Sequence, residues 1–306
     1  MTAEKQSNLR TFNVLVVGMV DSAHFSRWLR STEGMRLKFT IFPSGPNRRV
    51  HSGISELAQS QPENYRLVRF MSGLSLPVWL MDKVVGARVR SFLISRVLKK
   101  GNFQVLHFHE MQSAGYAVAN LKQSLLEKVR VVYTPYGSDL YWFSRYSEHR
   151  KRIKKALGKC DAMFPECERD AELAKNLGFE GRILELMPAS GTFPDKFAPP
   201  LDFHSRKKLV IKGYGGKWGK AREVLKSFIE VQDDLSEYEI HVISADLEVS
   251  REINRLKKKT NLKLITHPKF SLSTKDVHDL LSSSKACIAF SKSDGFPALL
   301  FEAISF

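Results

Sequence analysis

"NVLVVGMVDSAHFSRWLRSTEGMRLKFTIFP", residues 13–43, sets the pattern that the rest of the chain repeats. Four consecutive apolar residues, Val14 to Val17, run into Gly18; a helix-like SRWLRSTEG follows, and LKFTIFP (37–43) closes the unit. A strand apolar at successive positions is buried on both faces, and two such strands joined by a helix form a parallel pair. Working outward, YRLVRF (65–70) precedes a long helical stretch from Pro77 to Lys100. QVLHFHE (104–110), the helical AGYAVANLKQSLLEK and VRVVYTPYG (129–137) come next, then KCDAMFPEC (159–167), RDAELAKNLG and GRILELMP (181–188). Residues 187–208 are rich in proline and lack apolar periodicity, as a linker does. The alternation restarts with KLVIKGY (208–214), YEIHVIS (238–244), LKLITH (262–267) and ACIAFS (286–291), with helices around 220–232, 247–259 and 274–283 between them. The expected architecture is α/β, with two Rossmann-like doubly wound parallel-sheet domains over 1–195 and 206–306 and a linker at 196–205.

The 306 residues leave room for two domains, and 43% hydrophobic with 26% charged residues is enough apolar material for two cores. The polar start MTAEKQSNLR leads directly into a strand and does not read as a secretory signal. Three cysteines are too few for a disulfide framework, and Cys160 and Cys167 are too widely spaced for a redox pair, so a reducing cytoplasmic setting is expected. The net charge of +16 favours polyanionic partners: nucleic acid, anionic lipid or phosphorylated small molecules.

Ligands of open α/β sheets bind beyond the carboxyl ends of strands, and four segments lie at such ends. The last, SKSDGFPALLFEAISF (291–306), places Asp294, Gly295, Phe296 and Pro297 before an apolar helix that holds a lone carboxylate, Glu302. Proline suits a first helical turn, Asp or Ser before it can cap free N–H groups, and a phosphate would fit that helix start. Glu302 would follow about 7–8 Å along the axis, where it faces either water or a pair of ligand hydroxyls. The second segment, VIKGYGGKWGKAREVLKSF (210–228), is a glycine-rich strand-to-helix turn with Gly215, Gly216, Lys217 and Lys220 poised for a phosphate, or merely solvated. In the third, His107 and His109 share one face of a strand, either as structural residues or at a site. In the fourth, TPYGSDLYWF (134–143), Ser138 and Asp139 either cap a helix or bind sugar hydroxyls. The first turn has Gly18 but no GxGxxG, which argues against a nicotinamide dehydrogenase.

Asp294-x7-Glu302 resembles the E-x7-E segment of retaining GT-B glycosyltransferases, in particular glycosyltransferase family 4, with Asp in place of the usual first Glu. The glycine-rich turn is similar to that family's G-R…K-G segment, with Lys212 or Lys217 in place of Arg and Lys220 at the second position. His107-x-His109 and Tyr136-Gly137-Ser138-Asp139 resemble its H-x-H and HG-x-D turns. The resemblance implies a GT-B layout and transfer of a sugar, with retention, from a nucleotide-diphosphate donor to a hydroxyl, with no cofactor and no metal. Glu302 would bind the ribose, Gly215, Gly216, Lys217, Lys220, Gly295 and Phe296 would line the donor site, and His109 with Asp294 would meet the donor sugar. Gly18, Ser138 and Asp139 would lie on the acceptor side. The family also implies a longer second domain, so the chain is expected to be incomplete there and unstable or weakly active alone.

The acceptor would be a glycan or lipid-linked molecule, met at the inner face of the membrane, with no specific nucleic acid. Val85, Val89, Phe92, Leu93 and Val97 form a stripe among basic residues, and HRKRIKKALGK (149–159) is a second basic segment; each is either core-facing or a contact for anionic lipid. Two rivals remain: a GT-B-type nucleotide-sugar 2-epimerase and a non-catalytic polyanion-binding protein.

Overall fold

The computed structural model describes residues 10–45, 49–68, 75–191, 201–216, 218–269 and 271–306. The chain divides into two compact units, Met1–Thr192 and Phe193–Phe306.

In the first unit the strands are β1 (Phe12–Gly18), β2 (Leu37–Pro43), β3 (Tyr65–Leu67), β4 (Val105–His109), β5 (Arg130–Thr134), β6 (Ala162–Met163) and β7 (Arg182–Ile183). They form one parallel sheet in the order β3-β2-β1-β4-β5-β6-β7. Period-two alternation explains the unbroken apolar run of β1. Leu15 and Val17 face a core with Ile94, Leu106 and Tyr133, while Val14 and Val16 face another with Phe25, Trp28 and Ile41.

Three local readings change. A helix at Ser52–Ser60 escapes the sequence pattern because its cap is a histidine: His51 Nδ1 accepts from Gly53 N at 3.2 Å. The stretch from Pro77 to Lys100 is two helices, Ser75–Val84 and Arg88–Lys100, separated where Gly86 and Ala87 take positive φ (67° and 69°). Buried Asp82 holds that break: its Oδ1 accepts from Val89 N (2.8 Å) and Arg90 N (3.0 Å), and its Oδ2 from Arg90 Nε. Finally, the helix expected after β4 starts as a π-helical turn, Met111–Gly115, and continues only as Tyr116–Val118 and Gln123–Leu126.

In the second unit β8 (Lys208–Lys212), β9 (Glu239–Ala245), β10 (Lys263–Pro268) and β11 (Ser284–Ile288) form a parallel sheet in the order β10-β9-β8-β11. Helices Ala221–Ser227, Leu247–Lys257, Thr274–Ser282 and Ala298–Ile304 accompany it. Leu209 and Ile211 pack on one face, Val210 on the other with Ile243 and Leu281. Asp246 caps Leu247–Lys257, and a Ser273–Asp276 capping box starts Thr274–Ser282.

Candidate active site

Ligand crevices form where the strand order reverses. In the first unit this is the end of β1 and β4. His107 Nε2 lies 2.8 Å from Thr134 Oγ1 on β5. His109 is 0% exposed, its ring 4.2 Å from that of Trp28 and 5.1 Å from that of Phe25. Neither of its ring nitrogens has a hydrogen-bond partner among the described residues, whereas buried polar atoms are nearly always paired. Burial holds both imidazoles neutral: it lowers His107 to about 3 and His109 well below its usual value, with His107 adding to the effect on His109.

The acids beside them are turned inward. Glu110, at φ 66°, caps the π-helical turn by accepting from Ser113 N (2.7 Å) and Ala114 N (2.6 Å). Asp139, expected toward an acceptor, is 2% exposed and accepts from Met111 N (2.9 Å), Tyr136 N (2.9 Å) and Tyr133 Oη (3.1 Å). Three donors saturate one of its oxygens, so its role here is to fix the β5 turn against the β4 turn. Burial raises the pKa of both carboxyls, and for Asp139 the nearby Glu110 raises it further. Ser138 is half-buried and its carbonyl accepts from Trp142 N at 3.0 Å. Gly18 is explained by packing, since a Cβ there would lie 2.6 Å from the Phe25 ring.

In the second unit the reversal falls between β8 and β11, and both glycine-rich and closing segments meet there. Gly216 has φ 57°, and a Cβ on Gly219 would sit 1.9 Å from Tyr214 O, so the turn needs glycine at both. Gly219 forms an antiparallel bridge with Ser291. Lys220 N donates to Phe290 O, and Lys292 N to Trp218 O, each at 2.9 Å. Lys212 Nζ pairs with Asp294 Oδ2 at 2.6 Å, and Lys220 Nζ with Glu223 Oε1 at 2.6 Å. Gly215 N donates to Asp246 Oδ2 at 2.8 Å. Lys217 lies outside the described residues.

The closing segment departs from expectation in two ways. Asp294 pairs with Lys212 instead of capping, and Ala298–Ile304 starts after Pro297 with no side-chain cap. Glu302 is turned inward, 3% exposed, with its Oε2 3.7 Å from His278 Nε2 on Thr274–Ser282. Burial, then the Glu302 charge, pushes the Cys287 thiol up to about 12. Phe296 stacks on Phe301 with centroids 3.8 Å apart, which orients the bend that contains Gly295. Sequence reasoning missed His278, Trp28 and Asp246. Only Asp246 carried a signal, as an acid between strand and helix. Among the described residues, no group of three or more His, Cys, Asp or Glu is placed to hold a metal ion.

The chain is similar in fold to several solved structures. The lipopolysaccharide outer core galactosyltransferase WaaB, in its apo form, matches with 14% identity and TM-score 0.57 over 96% of this chain and 78% of that one. The UDP-GlcNAc 2-epimerase from Neisseria meningitidis bound to UDP-GlcNAc matches with 11% identity and TM-score 0.58 over 90% and 76%. Anabaena HepE in complex with UDP and glucose matches with 10% identity and TM-score 0.57 over 95% and 77%. At these identities the likeness is one of fold, the two Rossmann-like units of GT-B proteins. No curated protein sequence matches the chain. The model of the glycosyl transferase 4-like family matches residues 13–165, which covers β1 through β6, the paired histidines and the Asp139 turn. The chain therefore belongs to the glycosyl transferase 4-like family.

Proposed function

We propose that the protein transfers a sugar, with retention of anomeric configuration, from a nucleoside-diphosphate sugar to a hydroxyl of a glycan or lipid-linked acceptor. The pathway would be assembly of a cell-surface polysaccharide or lipopolysaccharide, in the cytoplasm at the inner face of the membrane. The observation that carries this reading is the clasp in the second unit, where the glycine turn and the Asp294 loop pair at the switch point beside Lys212 and Lys220. Two ammonium groups beside that clasp suit a diphosphate. As negative charge develops on the departing diphosphate, these ammonium groups would stabilise it once it has displaced a carboxylate partner, with no metal needed. Within the second unit, Asp294, drawn to Lys212, would meet the donor sugar, and Glu302 would hold the ribose. Membership of the transferase family and the WaaB fold support transfer; UDP in the Neisseria and Anabaena structures supports uridine as the base.

A second reading is supported by the epimerase neighbours: inversion at C2 of UDP-GlcNAc by the same layout. One experiment separates the two. Calorimetry with UDP, GDP, ADP and CDP is followed by NMR of UDP-sugars incubated with the protein and a hydroxyl acceptor. Saturable UDP binding and an α-glycoside from an α-configured donor support transfer. A 2-epimerised sugar with no glycoside supports the rival, and the absence of nucleotide binding overturns both.

A further inference from the structure

The last two helices of the second unit carry a polar pair in an otherwise apolar seam. Val277, Leu280 and Leu281 of helix Thr274–Ser282 pack with Val210 and Ile243 of the sheet, and Leu299, Ala303 and Phe306 join the same cluster from the closing segment. His278 precedes Leu281 by three positions and Glu302 follows Leu299 by three, so each shares the packed face of its helix. The outer face of Thr274–Ser282 is different: Lys275 and Asp279 pair there in solvent. His278 Nε2 and Glu302 Oε2 are 3.7 Å apart, with side chains 17% and 4% exposed. The imidazole also lies against Phe306, with ring centroids 5.9 Å apart. Burying ionisable groups is costly even when they are paired, and apolar side chains would fill the seam at lower cost. Packing does not account for this pair.

Its surroundings do. Lys212 follows Val210 by two positions on β8, and so lies on the sheet face that these helices cover. Cys287 on β11 belongs to the same cluster; burial and then the Glu302 charge raise its thiol, while Lys212 lowers it. Carboxylate, thiol and ammonium are therefore neighbours, and that ammonium pairs with Asp294. A carboxylate has about four lone-pair sites, so an imidazole can hold one while others accept from ligand hydroxyls. A glutamate side chain loses rotamer freedom when it grips a ligand. One already restrained from the neighbouring helix loses less.

We infer that His278 is a positioning residue for Glu302: its imidazole fixes the carboxylate in the orientation that accepts the two ribose hydroxyls, and thereby sets the preference for ribonucleoside over dideoxyribonucleoside diphosphates. The inference rests on the assignment of Glu302 to the ribose in the proposed function.

The test is calorimetric titration of the full chain with UDP and with 2′,3′-dideoxy-UDP. In the parent, removal of both hydroxyls weakens binding about a hundredfold, as for hydrogen bonds to a charged group. His278→Phe keeps a ring against Phe306 but removes both nitrogens, and His278→Leu is a second variant without them. Each lowers the ratio of the two affinities to about fivefold by weakening UDP, with the dideoxynucleotide nearly unchanged. His278→Gln retains a side-chain donor and keeps the ratio above about thirtyfold. A merely structural role would weaken both nucleotides alike and leave the ratio intact. Glu302→Gln also lowers the ratio, and adding His278→Phe to it has little further effect, because the two residues act as one unit. A parent that binds neither nucleotide, or both equally, overturns the ribose assignment and this inference with it. A parent that discriminates, with the ratio unchanged in His278→Phe or His278→Leu, overturns the inference and leaves the ribose assignment intact.

Discussion

The two units share one winding rule yet line their reversal points in opposite ways. At the β1/β4 end the first unit presents rings and neutral groups: His109 under Trp28 and Phe25, with Asp139 and Glu110 buried on backbone donors. At the β8/β11 end the second unit presents half-exposed ion pairs, Lys212–Asp294 and Lys220–Glu223, on a backbone that only glycine permits. Low dielectric makes an unpaired polar group costly, so the first arrangement is built around saturation. Solvated charges are exchangeable at little cost, so under the proposed function an incoming anion would displace one partner. The same topology thus yields a rigid, dry crevice in one unit and a responsive, charged one in the other.

The largest expected effect tests the dry side. Asp139→Ala strands three donors and lowers unfolding stability by on the order of 4 kcal/mol in urea denaturation followed by tyrosine and tryptophan fluorescence. A loss under about 1 kcal/mol would mean that water reaches those donors and that the contrast between the units is false.

On the charged side, Lys220→Ala weakens UDP binding about tenfold by calorimetry, and its melting temperature stays close to that of the parent because the Lys220–Glu223 pair is partly solvated. A variant that melts early but binds UDP normally would reverse the roles assigned to that turn.

The third effect is in pH, and it is small over any one unit. His109 is held neutral by burial and by His107, while the unfolded chain takes up a proton near pH 6.5. The stability this imidazole confers is present above about pH 6.5 and is lost as pH falls below it, by up to about 1.4 kcal/mol per unit. Asp139 and Glu110, with raised pKa values, act in the opposite direction as pH rises through the acid range. The difference between parent and His109→Gln isolates the histidine: its slope against pH is positive below about 6.5 and flat above. A flat difference throughout would show that His109 titrates normally, in contact with water.

Much of the architecture was legible because burial on both faces leaves a periodic trace. Val14 to Val17 and Leu209 to Ile211 announce parallel strands, and the proline-rich stretch before residue 208 announces the restart. The helix behind His51 was not, since imidazole is an unusual cap. Nor was the break at Gly86 and Ala87, because it is held by the side chain of Asp82, on the preceding helix, reaching the backbone of the next. The site was legible only in its chain-local parts. Asp294 and Lys212 could be named as candidates, but their pairing spans 82 residues and leaves no pattern. Likewise, nothing around Glu302 points to His278, and nothing around His109 points to Trp28.

The Gly219–Ser291 bridge has a kinetic corollary. Its halves follow the first and last strands of the second unit, so the glycine-rich loop is closed only when β11 docks, after the intervening elements are in place. Contacts between such distant segments form late because chain closure must precede their reward. Under the proposed function, a nucleotide bound at this loop would select fully matured molecules over nascent ones, and its presence during refolding would raise the final yield without accelerating the early phases.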